Sequence, residues 1–311
     1  MNKDFFEKDY LLTRVDFDRN QKPRWRLADL DSGEILSFSP EFEEPISIEI
    51  NLSKRFCIGW HSLETGEDFV CPENYELDKK YEQCQNCQKR TGFNPAFYNV
   101  KDGEISKQQI ERNLQPHFVY LAYFSDETIK VGISFAGRGI ARLLEQGARA
   151  ALILGEFSSA NIARNYEEKI SKMPDFCENV KASAKLKLLE QDFVFSKAEK
   201  ALLDARKKIE TAQKVVFERQ DPIDLNKFYA KNGEIPNGEM LEIQNCPQSQ
   251  NGETLIFSGI LKAQVGYILL AEQQGEIISI PLKKFTGRKI RISPKIIELN
   301  LPERQASLFD F

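Results

Sequence analysis

Four cysteines fall within a short polar stretch: Cys57, Cys71, Cys84 and Cys87. Cys84-x2-Cys87 is the spacing at which two thiolates from one tight turn reach one tetrahedral ion, and Cys57 and Cys71 are placed to supply the other two corners. The expectation is a closed, structural zinc site that holds together a segment too polar to fold alone. His61 is an alternative fourth ligand, and a loop of unpaired thiols or a redox pair is the plainer reading. Cys177 and Cys246 stand alone and read as ordinary thiols.

These residues sit in a chain of 311 residues with 41% hydrophobic and 29% charged content. That length allows two or three small cores. No apolar run approaches the roughly 20 residues a bilayer crossing needs, and the start, MNKDFFEKDYLL, lacks the apolar stretch of an export signal. A cytoplasmic location is the expectation. Six cysteines are too few for a disulfide scaffold at this size, which again favours metal chemistry.

Net charge is −4, unevenly spread. Residues 1–115 carry the acidic excess, while 116–311 are slightly basic, so a phosphate partner is sought in the second part. The local concentration is clearest from Lys283 to Lys295, which contains no acid. There Lys283, Lys284, Arg288 and Lys289 surround a turn between strands, a reasonable place for phosphate contacts. The helix expected from Ser196 to Val216 is also basic on its polar sides. It reads first as a solvated amphipathic helix, with DNA contact as the sharper alternative.

The pattern of alternation and turn formers predicts an α+β protein in six stretches. Residues 1–55 read as an N-terminal β region and 56–95 as the four-cysteine segment. A mixed β-β-α-β-α unit follows over 116–175, then a helical segment over 180–220. A C-terminal β region covers 250–298, and 303–311 forms a tail. In the mixed unit, His117 to Phe124 and Ile129 to Ser134 form a hairpin about Ser125-Asp-Glu-Thr. Ile140 to Gln146 follows at helical spacing, Ala150 to Phe157 reads as a strand, and Ser158-Ser159 can cap a helix to about Lys172. The two β-rich ends are compatible with one discontinuous domain or with two.

In order along the chain, Phe118-Val119-Tyr120, Lys130-Val131-Gly132-Ile133-Ser134, Arg142 and Glu167 resemble the core of the GIY-YIG nuclease superfamily. Cys57-Ile-Gly, Cys71-Pro, Gln83-Cys84-x2-Cys87, KVGIS, EQGA and AR-x2-E resemble more closely an uncharacterised bacterial family, domain of unknown function 2797, over roughly residues 55–175. The first resemblance implies a nucleic-acid endonuclease. It implies that Tyr120 orients or deprotonates a water, that Lys130 assists or binds phosphate, and that Arg142, with Arg138 as an alternative, braces the phosphate. Glu167 would anchor Mg or Mn. Lys130 stands where many members carry tyrosine. Phosphodiester hydrolysis requires this kind of set: a positioned water, a proton acceptor and positive charge near phosphorus.

The tail, Glu303 to Phe311, resembles the short peptide by which bacterial replication and repair proteins dock onto the polymerase sliding clamp. Gln305, Leu308 and Phe309 would be the anchors, an amide and two apolar groups suited to a groove. The reading is therefore a metal-dependent endonuclease acting on DNA in repair, recombination or replication. The alternatives are a nonenzymatic, zinc-containing nucleic-acid adaptor and a zinc-dependent protein-interaction module.

Overall fold

In the computed structural model, which describes residues 5–6, 8–78, 80–94, 96–97, 105–246 and 250–302, the N-terminal alternation forms four strands. They are β1 (Tyr10–Phe17), β2 (Pro23–Ala28), β3 (Ile35–Phe38) and β4 (Pro45–Asn51). The cysteine-bearing stretch has little apolar periodicity. Accordingly it carries only the two-residue strands β5 (Trp60–His61) and β6 (Asp68–Phe69) and the short helix α1 (Gln85–Thr91). Helix α2 (Lys107–Asn113) leads into the mixed unit.

That unit runs β7 (His117–Ser125), β8 (Thr128–Phe135), α3 (Ala141–Gln146), β9 (Ala150–Phe157) and α4 (Ala160–Ser171), the β-β-α-β-α order expected. Ser159 caps α4, its side chain accepting from the backbone N–H of Ile162. Beyond the two-residue β10 (Phe176–Cys177), the helical segment holds α5 (Ala182–Leu189) and the long α6 (Phe195–Gln213), the long helix expected from Ser196. The short β11 (Ile223–Asp224), β12 (Leu241–Glu242) and β13 (Gln250–Asn251) lead into β14 (Thr254–Val265), β15 (Ile268–Gln273), β16 (Glu276–Pro281) and β17 (Lys289–Ser293). The fold is α+β.

Strands β1 to β3 form an antiparallel meander, but β4 leaves it. It lies between β14 and β17, and β17 pairs in turn with β1. The two β-rich ends thus share one ten-stranded sheet. Its core joins Trp25, Leu27, Ile48 and Ile50 to Phe257 and Ile290. The buried indole N–H of Trp25 donates to Gln264 Oε1 at 2.8 Å, so even the polar edge of this core is satisfied.

The second sheet has the order β10-β8-β7-β9-β11. Side chains alternate across a strand, so β7 sends successive residues to opposite faces. Val119 and Leu121 pack with Ala163 and Ile170 of α4 and with Ala198, Leu202 and Ile209 of α6. Phe118, Tyr120 and Ala122 pack with Leu143 and Leu144 of α3 and with Val265, Ile268 and Leu270 of the large sheet. The Tyr120 face is therefore closed by the β14–β15 hairpin. Among the described residues, no helix is long and apolar enough to cross a membrane.

Candidate functional site

The Cys84-x2-Cys87 knuckle is the start of α1: Cys84 is its N-cap and Cys87 lies in its first turn. Cys57 and Cys71 flank the β5–β6 hairpin, which brings them to the same point. All four are buried, and their sulfurs lie within 4.8 Å of one another. The Cys71 and Cys84 sulfurs are 3.9 Å apart, close to the edge of about 3.8 Å that a tetrahedron with 2.3 Å metal–sulfur bonds requires. The backbone N–H of Cys84 donates to Cys57 Sγ at 3.2 Å.

Burial pushes the Cys57 thiol up to about 11 and raises Cys87 as well. Burial also opposes ionisation of Cys84, but the backbone N–H of Cys87 and the neighbouring thiols outweigh it and lower its pKa. The four cysteines form a cluster that can hold a metal ion, with a donor set compatible with structural zinc. His61 is not part of it: its Nδ1 pairs with Asp68 Oδ1 at 2.8 Å. The hairpin is tight because Gly59 has φ +82° and a Cβ there would collide with the Phe69 carbonyl oxygen. Gln83 Nε2 donates to Gly59 O at 2.8 Å and Thr91 Oγ1 at 3.1 Å, which ties the hairpin to α1.

In the mixed unit, Tyr120 pairs across the sheet with Gly132, and Ala122 with Lys130. Paired residues share a face, as do residues two apart, so Tyr120 and Lys130 project to one side. Lys130 Nζ donates to the backbone carbonyl of Glu178. Arg142, in the first turn of α3, comes to the Tyr120 hydroxyl, where it opposes the rise in phenol pKa that burial causes. Glu167 occupies the buried stripe of α4 between Ala163 and Ile170. Its charge reaches both Tyr120 and Lys130. The structure thus brings Tyr120, Lys130, Arg142 and Glu167 together.

Burial differentiates them. It lowers the Lys130 ammonium, helped by Arg142 and offset in part by Glu167. It raises the Glu167 carboxyl, against the hydrogen bond from Arg164. Arg164 Nη1 pairs with Glu167 Oε2, and its Nη2 lies 3.4 Å from Glu178 Oε1. The i to i+3 spacing on α4 could have signalled Arg164 in the sequence. Gln146, Glu178 and Lys185 also belong to the neighbourhood: Gln146 stands four residues after Arg142 on α3, a spacing that could have signalled it, whereas the partners of Glu178 and Lys185 lie on other elements and no local pattern marks them. Lys185 is lowered to about 8 by burial and then by Lys130 and Arg142.

The other basic candidates divide by surroundings. Arg138 is exposed and pairs with Glu145 Oε1. Lys283 and Lys284 are exposed on the turn after β16, and the Lys283 charge is felt at Lys185. Arg288 instead donates to the carbonyls of Leu52 and Lys54, and Lys289 lies 5.5 Å over the Phe56 ring. Arg288 thus faces the chain between β4 and the cysteine segment, and Lys289 faces the start of that segment. Gln305, Leu308 and Phe309 lie outside the described residues.

No curated protein and no solved structure matches this chain. A family match does span the cysteine centre, the mixed unit and most of the C-terminal strands, covering residues 47–290. On that match, the chain belongs to the family described as Protein of unknown function (DUF2797).

Proposed function

We propose that this protein is a metal-dependent endonuclease acting on nucleic acid, with DNA in repair, recombination or replication as its setting. The observation that carries the reading is the convergence of Tyr120, Lys130, Arg142 and Glu167 from β7, β8, α3 and α4. Tyr120 stays a phenol because burial raises its pKa, so it orients the attacking water. Lys130 is moved toward neutrality and is the better proton acceptor. Arg142 braces the phosphate with paired N–H donors. Glu167 would hold magnesium or manganese, which would neutralise charge developing on the phosphate; a single carboxylate with waters suits such an ion.

Arg138, Lys283 and Lys284 extend the positive surface along which a strand would run, and the four cysteines hold zinc as a structural clamp. Through Gln305, Leu308 and Phe309 the tail would bring the protein to a sliding clamp. The test is incubation with branched, nicked, single-stranded and duplex DNA, with magnesium, manganese or chelator, beside Glu167→Ala. Metal-dependent cleavage that the variant lacks is the expected result. Binding without cleavage of any substrate would refute the catalytic reading.

A second reading, a nucleic-acid adaptor that does not cut, is favoured by two observations: Tyr120 is 1% exposed, and Glu167 is already paired with Arg164. Under it, Glu167→Ala leaves DNA binding intact and no cleavage appears with either metal.

A further inference from the structure

Arg142 is held by more than its own helix. Helix α3 spans only Ala141–Gln146, so Arg142 and Gln146, four apart, lie one above the other on the same side. The buried Gln146 amide oxygen lies 3.2 Å from both terminal nitrogens and 3.3 Å from Nε, which places it over Cζ, on the face of the guanidinium and not in the plane of its N–H groups. The guanidinium is positive across its face, so the end of the amide that meets it is the oxygen, the negative end of the amide dipole.

Glu145 also approaches, with Oε2 at 3.5 Å from Arg142 Nη1, but its other oxygen serves Arg138. The end of α3 is itself pinned. Tyr229 Oη donates to Leu144 O at 3.0 Å, and Lys185 Nζ donates to Gln146 O. Lys185 is in turn packed between the rings of Phe124 and Tyr267, at 5.4 and 5.3 Å. The lysine satisfies the Gln146 carbonyl, which the helix end otherwise leaves open, and the tyrosine adds a second bond to a Leu144 carbonyl that already accepts from the Gly147 N–H.

We propose that Gln146 is the positioning residue for Arg142, directing its guanidinium to Tyr120 while leaving its positive charge available to a phosphate. A neutral group is the relevant choice: its oxygen lies against the face of the guanidinium and sets the plane of the fork, leaving the N–H groups free, and it does not cancel the charge, as a carboxylate in that place would. Lys185 serves the same end by fixing the main chain of Gln146. This inference rests on the reading of Arg142 as the group that braces phosphate.

The test is a double-mutant cycle with Arg142→Ala and Gln146→Met, in the full chain. Cleavage is read with magnesium, and binding of the same DNA is read in chelator. Each single variant is expected to lower cleavage about tenfold or more, the size of losing the placement of a group that meets the reacting phosphate. The double variant is expected to be no worse than Arg142→Ala. The same cycle with Gln146→Glu, which keeps size and polarity, covers the case in which the apolar variant melts. If the protein binds without cutting, the binding arm carries the cycle. Additive losses, or Gln146→Met and Gln146→Glu variants that behave as wild type, would overturn the positioning role while leaving the functional reading standing. Absence of both cleavage and binding in the wild type would overturn the functional reading, and this role with it.

Discussion

The ring of Tyr120 lies over Gly132, its partner across β7 and β8, so closely that a Cβ at Gly132 would stand 2.5 Å from the phenol oxygen. Glycine at this position is a packing requirement of the tyrosine. Gly132→Ala should displace the ring, destabilise the chain by about 1–3 kcal/mol and lower the melting temperature by a few degrees. Cleavage should fall to the level of Tyr120→Phe. An alanine variant that melts and cuts as the wild type does would show that the placement of Tyr120 does not matter.

The cysteine centre makes a separable claim. One zinc per chain is expected by elemental analysis, lost in Cys84→Ser and retained in Cys177→Ser and Cys246→Ser. Binding must displace protons from thiols such as Cys57, raised to about 11, so zinc affinity should fall as pH falls. Removing zinc should expose residues 56–95 to protease, since β5, β6 and α1 supply little core of their own. Retention of zinc in Cys84→Ser would remove this cysteine from the ligand set.

Asp68 links the cysteine segment to the N-terminal strands. It meets His61 at 2.8 Å, Arg14 at 3.0 Å and Arg26 at 3.7 Å, and only 9% of its side chain is exposed. Burial works against the carboxylate, but these partners outweigh it and hold its pKa below the ordinary 3.8. An acid with a depressed folded pKa contributes stability that is complete above its unfolded value and is lost as pH falls through the folded one. Asp68→Asn should therefore destabilise by roughly 3 kcal/mol at neutral pH and by less below pH 3.8. Denaturant titrations at a series of pH values would measure this. A constant difference across them would exclude the ionised carboxylate as the cause.

The basic segment should separate into two kinds of variant. Replacing Lys283 and Lys284 with glutamine should weaken DNA binding similarly for all sequences and reduce the slope of log affinity against log salt by about 2. The melting temperature should hardly move. Arg288→Ala should do the reverse, because Arg288 caps the carbonyls of Leu52 and Lys54. Fluorescence anisotropy over a salt series, paired with melting curves, distinguishes the two. Equal salt slopes in the wild type and the double lysine variant would remove the pair from the interface.

Local features carried much of this in the sequence. The two-residue turn at Asp126 and Glu127, the Ser159 cap and the Cys-x2-Cys knuckle depend on neighbours within a few positions, so spacing alone announces them. The amphipathic helix expected from Ser196 likewise became α6, which buries Ala198, Leu202, Ala205 and Ile209. What could not be read was set by pairing across long separations. Nothing near Ile48 says that it will face Phe257 and Ile292. Lys185 was missed for the same reason, since its contact with the Gln146 carbonyl joins α5 to α3. The alternative role of His61 failed because a partner seven residues away, Asp68, forms the other side of its hairpin.

The departure of β4 from its own meander has a kinetic consequence. Its hydrogen-bonding edges find β14 and β17 only after some two hundred further residues, a high contact order that slows closure of the large sheet. The unit from β7 to α6, whose strands pair within a short span, can form while the ribosome is still adding the later strands. During that interval β4 is an unpaired edge. A chaperone that shields extended apolar segments would find its target at Ile46, Ile48 and Ile50, and that need would end when β17 slides between β4 and β1.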